Sequence, residues 1–291
     1  MRVHIAEACG FCYGVRRAVE LASTAEKGTH TLGPIIHNPQ LVNSLSARGV
    51  SPVDSLQDVA DGSKVLIRSH GVGPHVYEEA EAKHLDVVDA TCPHVKKAQQ
   101  DARKVINDKK ALIIVGEKDH PEVISISQWG CNRAIIIDKV EEAKEIPYCE
   151  HMGVVVQTTF SQSRFKQIES VLAEKTDDLD VYMTICTATR QRQEAAVELA
   201  KKVDAMIVIG GKNSANTGRL AQVCAEQGCP TYHVETASEL NVADFRGMSD
   251  IGVTAGASTP DWIIQEVVKM MEDLQAEGPD VMSAELLAQY D

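Results

Sequence analysis

Three cysteines recur where their chemistry could be pooled. Cys12, Cys92 and Cys186 each follow a β-branched or apolar stretch and open a helix-like segment, in "VHIAEACGFCYGVRRAVELA", "LDVVDATCPHVKKAQQDA" and "LDVYMTICTATRQRQEAAVELA". They stand 80 and then 94 residues apart. A helix N-terminus stabilises a thiolate through its dipole and its unsatisfied N–H groups. Pro93 directly after Cys92 suits a first helical position. Equivalent positions in a threefold repeat would meet on its axis, and three converging thiolates make a metal site. Such a site is either an iron–sulfur cubane with its fourth iron open to substrate, or a closed zinc site completed by a histidine. Cys9 and Cys12 also form a C-x-x-C, which alone could serve zinc or thiol redox chemistry. Cys131, Cys149, Cys224 and Cys229 do not repeat and read as packing residues.

A second set of residues sits where strands end in polar loops. His37, His70, His120, Thr158 with Thr159, Ser214 with Asn216, and Ser258 lie in "THTLGPIIHNPQ", "KVLIRSHGVGP", "LIIVGEKDHPEV", "GVVVQTTFSQS", "MIVIGGKNSANTGRL" and "DIGVTAGASTP". All donate hydrogen bonds, and the histidines can carry charge. Donors without a fixed anionic neighbour suit a phosphate or diphosphate. No G-x-x-x-x-G-K-[ST] occurs, so this is not a Walker loop. Glu122, two residues after His120, is the acid that stands out. In a closing, water-poor site its pKa would rise and it could act as general acid, with a threonine hydroxyl orienting the proton.

These residues need elements to place them. After each cysteine helix the same order recurs: short strand, polar loop, helix, strand, polar loop, helix. Strands alternating with helices predict parallel α/β units. The third unit has no final strand, and "RVHIAE" at the N-terminus can supply it. The expected fold is therefore α/β, with three small lobes in a pseudo-threefold, cloverleaf arrangement. Lobe 1 spans 10–92, lobe 2 spans 93–186 and lobe 3 spans 187–261. The N-terminal strand 1–9 and the segment 262–291 pack on the core. The acidic tail from Leu274 forms a short helix or frays. Arg16 and Arg17, Lys96 and Lys97, and Arg190 and Arg192 follow the three cysteines. They either offset a cluster's negative charge, dock an acidic electron carrier, or form the exposed faces of three helices.

Composition narrows the function classes. The 291 residues hold 29 Lys and Arg against 42 Asp and Glu, a net charge of −13. That argues against a nucleic-acid binder, which needs a basic footprint. No apolar run reaches the roughly 18 residues of a spanning helix. The N-terminus lacks a signal-peptide core, so the chain reads as cytoplasmic. Eight cysteines there point away from structural disulfides.

The motifs "CGFCYGVRRAV", "IIHNPQ", "IRSHGV", "DATCPHV", "GEKDHPEV", "QTTFS", "GGKNSANTGRL" and "TAGASTP" are jointly specific. With them the chain resembles the LytB/IspH family of 4-hydroxy-3-methylbut-2-enyl diphosphate reductases, over nearly its whole length. The resemblance implies a three-lobed α/β fold around a [4Fe–4S] cluster. Cys12, Cys92 and Cys186 match the three cluster ligands, with one iron left open. His37, His70, His120, Ser214, Asn216 and Ser258 match diphosphate-binding positions. Glu122 matches the proton donor, and Thr158 the threonine near the substrate hydroxyl. The implied reaction is a two-electron, two-proton reductive dehydroxylation of the allylic diphosphate. It gives isopentenyl and dimethylallyl diphosphate in the non-mevalonate isoprenoid pathway, with reduced ferredoxin or flavodoxin as electron donor. One departure stands out: the family commonly has Ser-Ser-Asn where this chain has Ser214, Ala215 and Asn216. The readings from other classes are a zinc-bound structural or phosphate-binding protein and a C-x-x-C thiol oxidoreductase.

Overall fold

The computed structural model describes residues 1–277. It holds twelve strands in three four-stranded sheets, every pairing parallel. The chain divides into two compact units. One contains Met1–Cys12, His37–Pro39 and the chain from Thr187 onward, and the other Tyr13–Ile36 with Gln40–Cys186.

The larger unit carries two sheets. In the first, β2 (His30–Leu32), β3 (Ser51–Val53), β4 (Lys64–Ile67) and β5 (Asp86–Asp89) run in the order β3-β2-β4-β5. In the second, β6 (Ala111–Val115), β7 (Ile135–Ile137), β8 (His151–Val156) and β9 (Asp178–Tyr182) run in the order β7-β6-β8-β9. The smaller unit repeats that order with β10 (Ala205–Ile209), β11 (Thr231–Val234) and β12 (Asp250–Ala255), as β11-β10-β12. The fourth place is taken by β1 (Arg2–Ile5), whose Arg2 lies opposite Asp250 and Ile5 opposite Val253. The missing strand of the third repeat is thus supplied from the N-terminus.

The apolar runs explain why the central strands form. In β10, Ala205, Ile207 and Ile209 face one core cluster, and Met206 and Val208 the other. In β6, Ile113 and Val115 face one cluster, and Leu112 and Ile114 another. Both faces of each strand are covered, which is why the sequence reads as a continuous apolar run rather than an alternation. Full burial of each Val, Leu, Ile or Met side chain among them contributes about 1.5–3 kcal/mol.

Helices follow the strands as the pattern predicts. They are α1 (Tyr13–Ser23), α2 (Pro39–Ala47), α3 (Pro74–Ala82), α4 (Pro93–Asn107), α5 (Pro121–Trp129), α6 (Val140–Glu145), α7 (Gln162–Ala173), α8 (Thr187–Ala200), α9 (Ala215–Ala225) and α10 (Asp261–Glu277). Proline stands at the first turn of α3, α4 and α5, where its missing N–H has no cost. The start of the acidic tail continues α10 to Glu277, and the rest lies outside the described residues. Among the described residues no helix is long and apolar enough to cross a membrane.

Candidate functional site

Each repeating cysteine is anchored by its own backbone. The Cys12 N–H donates to Ala257 O at 3.3 Å, the Cys92 N–H to Ser69 O at 2.9 Å, and the Cys186 N–H to Thr158 O at 2.9 Å. Cys92 is the N-cap of α4, and α8 starts directly after Cys186. All three are half-buried and none is joined in a disulfide.

Cys92 sits against α1 at Gly14, where a Cβ would lie 2.4 Å from its Sγ. Only glycine lets that helix pass so close. The approach to Cys92 is held by Asp89. Its Oδ1 accepts the Thr91 N–H at 2.9 Å, its Oδ2 accepts the Tyr77 hydroxyl at 3.1 Å, and Lys96 Nζ stands 2.7 Å away. Burial works to raise the pKa of this carboxyl, but Lys96 and Thr91 outweigh it and hold the group below the usual range. Arg17 adds a hydrogen bond to Asp89 O at 3.0 Å.

In the same unit the geometry selects one carboxyl. Glu122 lies in the first turn of α5 and is 2% exposed. Thr158, just beyond β8, holds both of its oxygens. The Thr158 N–H donates to Oε1 at 2.6 Å and its hydroxyl to Oε2 at 2.8 Å. Burial pushes the Glu122 pKa up to about 7. The two Thr158 bonds oppose that rise and Glu117 adds to it. A carboxyl poised there supplies or accepts a proton at neutral pH. His120 caps α5, and its Nδ1 accepts the Glu122 N–H at 3.2 Å. That bond places the proton of neutral His120 on Nε2, as a donor. The His70 ring lies edge-on to it, with centroids 5.6 Å apart. Ser125 of α5 lies 3.0 Å from His70 O and accepts the Gln99 amide at 3.2 Å, so the His70 loop is tied to α4 and α5.

The smaller unit gathers the remaining polar positions. His37 Nδ1 lies 3.0 Å from Asn213 O, a contact that a protonated Nδ1 makes by donating. The Ser258 hydroxyl reaches His37 O at 3.2 Å and Ser214 Oγ at 3.4 Å. Ser214 is the N-cap of α9, its Oγ accepting from Thr217 N–H. Asn216 is 5% exposed, and among the described residues neither of its side-chain polar atoms has a hydrogen-bond partner. A buried amide left unsatisfied on both ends is costly and fits a site that a polar ligand completes. So Glu122, Thr158, His70 and His120 cluster in one unit, and His37, Ser214, Asn216 and Ser258 in the other.

Two residue groups differ from the sequence reading. Cys224 and Cys229 are buried, as packing residues should be, but Cys131 is exposed. It lies in the turn after α5 at a φ of 57°. The basic pairs are mostly engaged locally. Lys96 pairs with Asp89, Lys97 with Asp101, and Arg190 with Glu194, while Arg16 is exposed. Arg192 is buried at 6% exposure, which no helix-face reading anticipates. Its charge acts on the Cys9 thiol, whose pKa burial nevertheless pushes up to about 11.

Comparison with known proteins places the chain. The family model described as LytB protein matches residues 3–272. A protein of Pelobacter propionicus named 4-hydroxy-3-methylbut-2-enyl diphosphate reductase is 47% identical, over 92% of this chain and 96% of that relative. One from Thermoanaerobacter sp. with the same name is 44% identical, over 96% of this chain and all of that relative. Among solved structures, the E-1-hydroxy-2-methyl-but-2-enyl-4-diphosphate reductase of Plasmodium falciparum superposes with a TM-score of 0.88. It has 27% identity and covers 92% of this chain and 87% of that one. A (E)-4-hydroxy-3-methyl-but-2-enyl diphosphate reductase, described as the terminal enzyme of the non-mevalonate pathway, gives 0.67. It has 43% identity and covers 94% of this chain and all of the other.

Proposed function

The chain belongs to the LytB protein family, and from that premise we propose that it reduces 4-hydroxy-3-methylbut-2-enyl diphosphate at an iron–sulfur cluster. The substrate takes up two electrons and two protons, loses its allylic hydroxyl as water, and becomes isopentenyl or dimethylallyl diphosphate. The single observation that carries this reading is Glu122. It is a buried carboxyl with a pKa near neutrality, gripped on both oxygens by Thr158. The names of the relatives support a reductase rather than a zinc-bound structural protein or a C-x-x-C oxidoreductase.

The family is iron–sulfur dependent, and the donor set here fits. Three half-buried thiols outside any disulfide follow strands at equivalent points of a repeat, and the absent side chain of Gly14 leaves room at Cys92 Sγ. We assign Cys12, Cys92 and Cys186 as the ligands of a [4Fe–4S] cluster with one iron open. When bound, the cluster supplies the two electrons and a Lewis acid for the substrate hydroxyl. The chain's residues do the rest. Glu122 gives its proton to the departing oxygen, because hydroxide leaves poorly. Thr158 orients that carboxyl. His37, His70, His120, Ser214, Asn216 and Ser258 hold the diphosphate by hydrogen bonds, so no basic surface is needed. Reduced ferredoxin or flavodoxin is the proposed electron donor, and the cytoplasm the proposed compartment.

Iron and sulfide analysis after anaerobic purification tests the cofactor assignment. A brown protein with about four irons is expected. A colourless zinc protein that gains no reductase activity on iron–sulfur reconstitution overturns it.

Two further outcomes follow from the site. Glu122 must be protonated to act, so turnover should fall as pH rises through about 7. Thr158→Val removes the hydroxyl bond that favours the charged carboxylate and leaves the backbone bond in place. The fall should then move to higher pH in the kcat profile, and a fall that stays or moves lower belongs to another group. The second concerns Ala215, the first residue of α9 and half-buried. Ala215→Ser restores a hydroxyl beside a charged ligand. A hydrogen bond to a charged group contributes about 1.5–3 kcal/mol, so KM should drop about ten- to a hundredfold. An unchanged KM means that no contact forms there.

A further inference from the structure

Arg192 is an anomaly of the smaller unit. Its side chain is buried, and its hydrogen bonds go to backbone carbonyls. Nε at 3.2 Å and Nη2 at 2.6 Å both donate to Gly10 O, and Nη1 donates to Ala188 O at 3.0 Å. Among the described residues no carboxylate forms an ion pair with it. Arg190, two residues earlier on α8, is exposed and pairs with Glu194 in the ordinary way. Asp261 acts with Arg192 on the Cys9 thiol but forms no ion pair with it, and a buried guanidinium without an ion-pair partner is unfavourable unless something anionic completes its surroundings.

The carbonyl it holds belongs to the Cys9–Cys12 turn. Gly10 has a φ of +75°, a conformation that glycine takes without strain. A Cβ there would come within 3.1 Å of Asp261 Oδ1 and of Ile264 Cδ1 on α10. Cys12 itself is tied through its N–H to Ala257 O. The turn is therefore held by α8 through Arg192, by the loop after β12, and by close packing on α10. The forked pair of N–H groups on one oxygen fixes both the position and the direction of that carbonyl.

We propose that Arg192 is a positioning residue for Cys12, clamping the turn that carries it and balancing the negative charge of the thiolate-bound group held there. The charge-balancing half rests on the iron–sulfur reading above, whereas the clamp does not. Reduction adds negative charge, so a buried cation nearby favours the reduced state.

The test uses the full chain and the variants Arg192→Met and Arg192→Lys, with two readouts other than turnover. The first is hydrogen exchange of residues 9–12 in the protein as purified. The second is the midpoint potential of the anaerobically reconstituted cluster. Arg192→Met should speed exchange at the Cys12 amide by about tenfold or more and shift the potential negative, with far-UV circular dichroism unchanged. Arg192→Lys keeps the charge but loses the fork, so it should restore the potential and not the protection. Wild-type exchange together with a wild-type potential in Arg192→Met overturns the proposal. Should the methionine variant not fold, the lysine variant decides: loss of both properties, or of neither, contradicts the split. A wild-type chain that assembles no cluster overturns the functional reading and the charge-balancing half, and the exchange readout still judges the clamp.

Discussion

Glu122→Gln should leave a protein that keeps its iron and binds substrate but turns over about 10²–10⁴-fold more slowly, the usual contribution of a general acid. The amide has the same shape and no proton to give. Its cost to the fold is modest. Thr158 donates to both carboxyl oxygens, so one of those bonds meets the new NH₂ group and is lost, about 1–3 kcal/mol. The residues proposed to hold the diphosphate lie elsewhere, His37, Ser214, Asn216 and Ser258 in the smaller unit and the histidine pair in the larger. KM should therefore stay within a few-fold while kcat collapses, the pattern of an interaction made only in the transition state. Near-normal turnover at saturating reductant would refute the acid role.

Cys92→Ser should abolish the brown absorbance and lower activity by about three orders of magnitude or more, the scale on which losing an essential part of a site is felt. Serine keeps the cap position of α4 but is a poor ligand at neutral pH, because its hydroxyl does not ionise there. The structure adds a second route to the same result. In Gly14→Ala the new Cβ would stand 2.4 Å from Cys92 Sγ, so either the thiol or α1 must move. Iron retained per chain should fall several-fold although every ligand is present, and iron analysis beside the melting curve separates this from unfolding. A Gly14→Ala protein with full iron would show that the close approach has no bearing on the site.

Much of this was legible in the chain itself, for definite reasons. Strands such as "AMIVI" are apolar throughout because both faces are buried, and the prolines at 93 and 121 mark helix starts because their missing N–H is harmless there. The recurrence of strand, loop and helix was visible for the same reason, including the N-terminal strand that completes the third sheet. What was not legible depends on residues far apart in sequence. A threonine orienting the Glu122 proton is an expectation of the motifs, but the grip of Thr158 on both oxygens, by N–H as well as hydroxyl, joins positions 36 apart, and Arg192 reaches Gly10 across 182. In "TATRQRQEAA" the two arginines look alike, and only the packing of α8 separates the exposed Arg190 from the buried Arg192. The exposure of Cys131 is of the same kind. A cysteine in a left-handed turn after a helix carries no local signal of that conformation.

Product analysis decides whether the protein is a reductase of the allylic diphosphate. The anaerobically reconstituted protein is supplied with 4-hydroxy-3-methylbut-2-enyl diphosphate and a strong one-electron reductant. Isopentenyl and dimethylallyl diphosphate are expected, with two electrons consumed for each substrate and turnover lost in Cys92→Ser. Substrate recovered intact by a protein that carries its full complement of iron would contradict that activity.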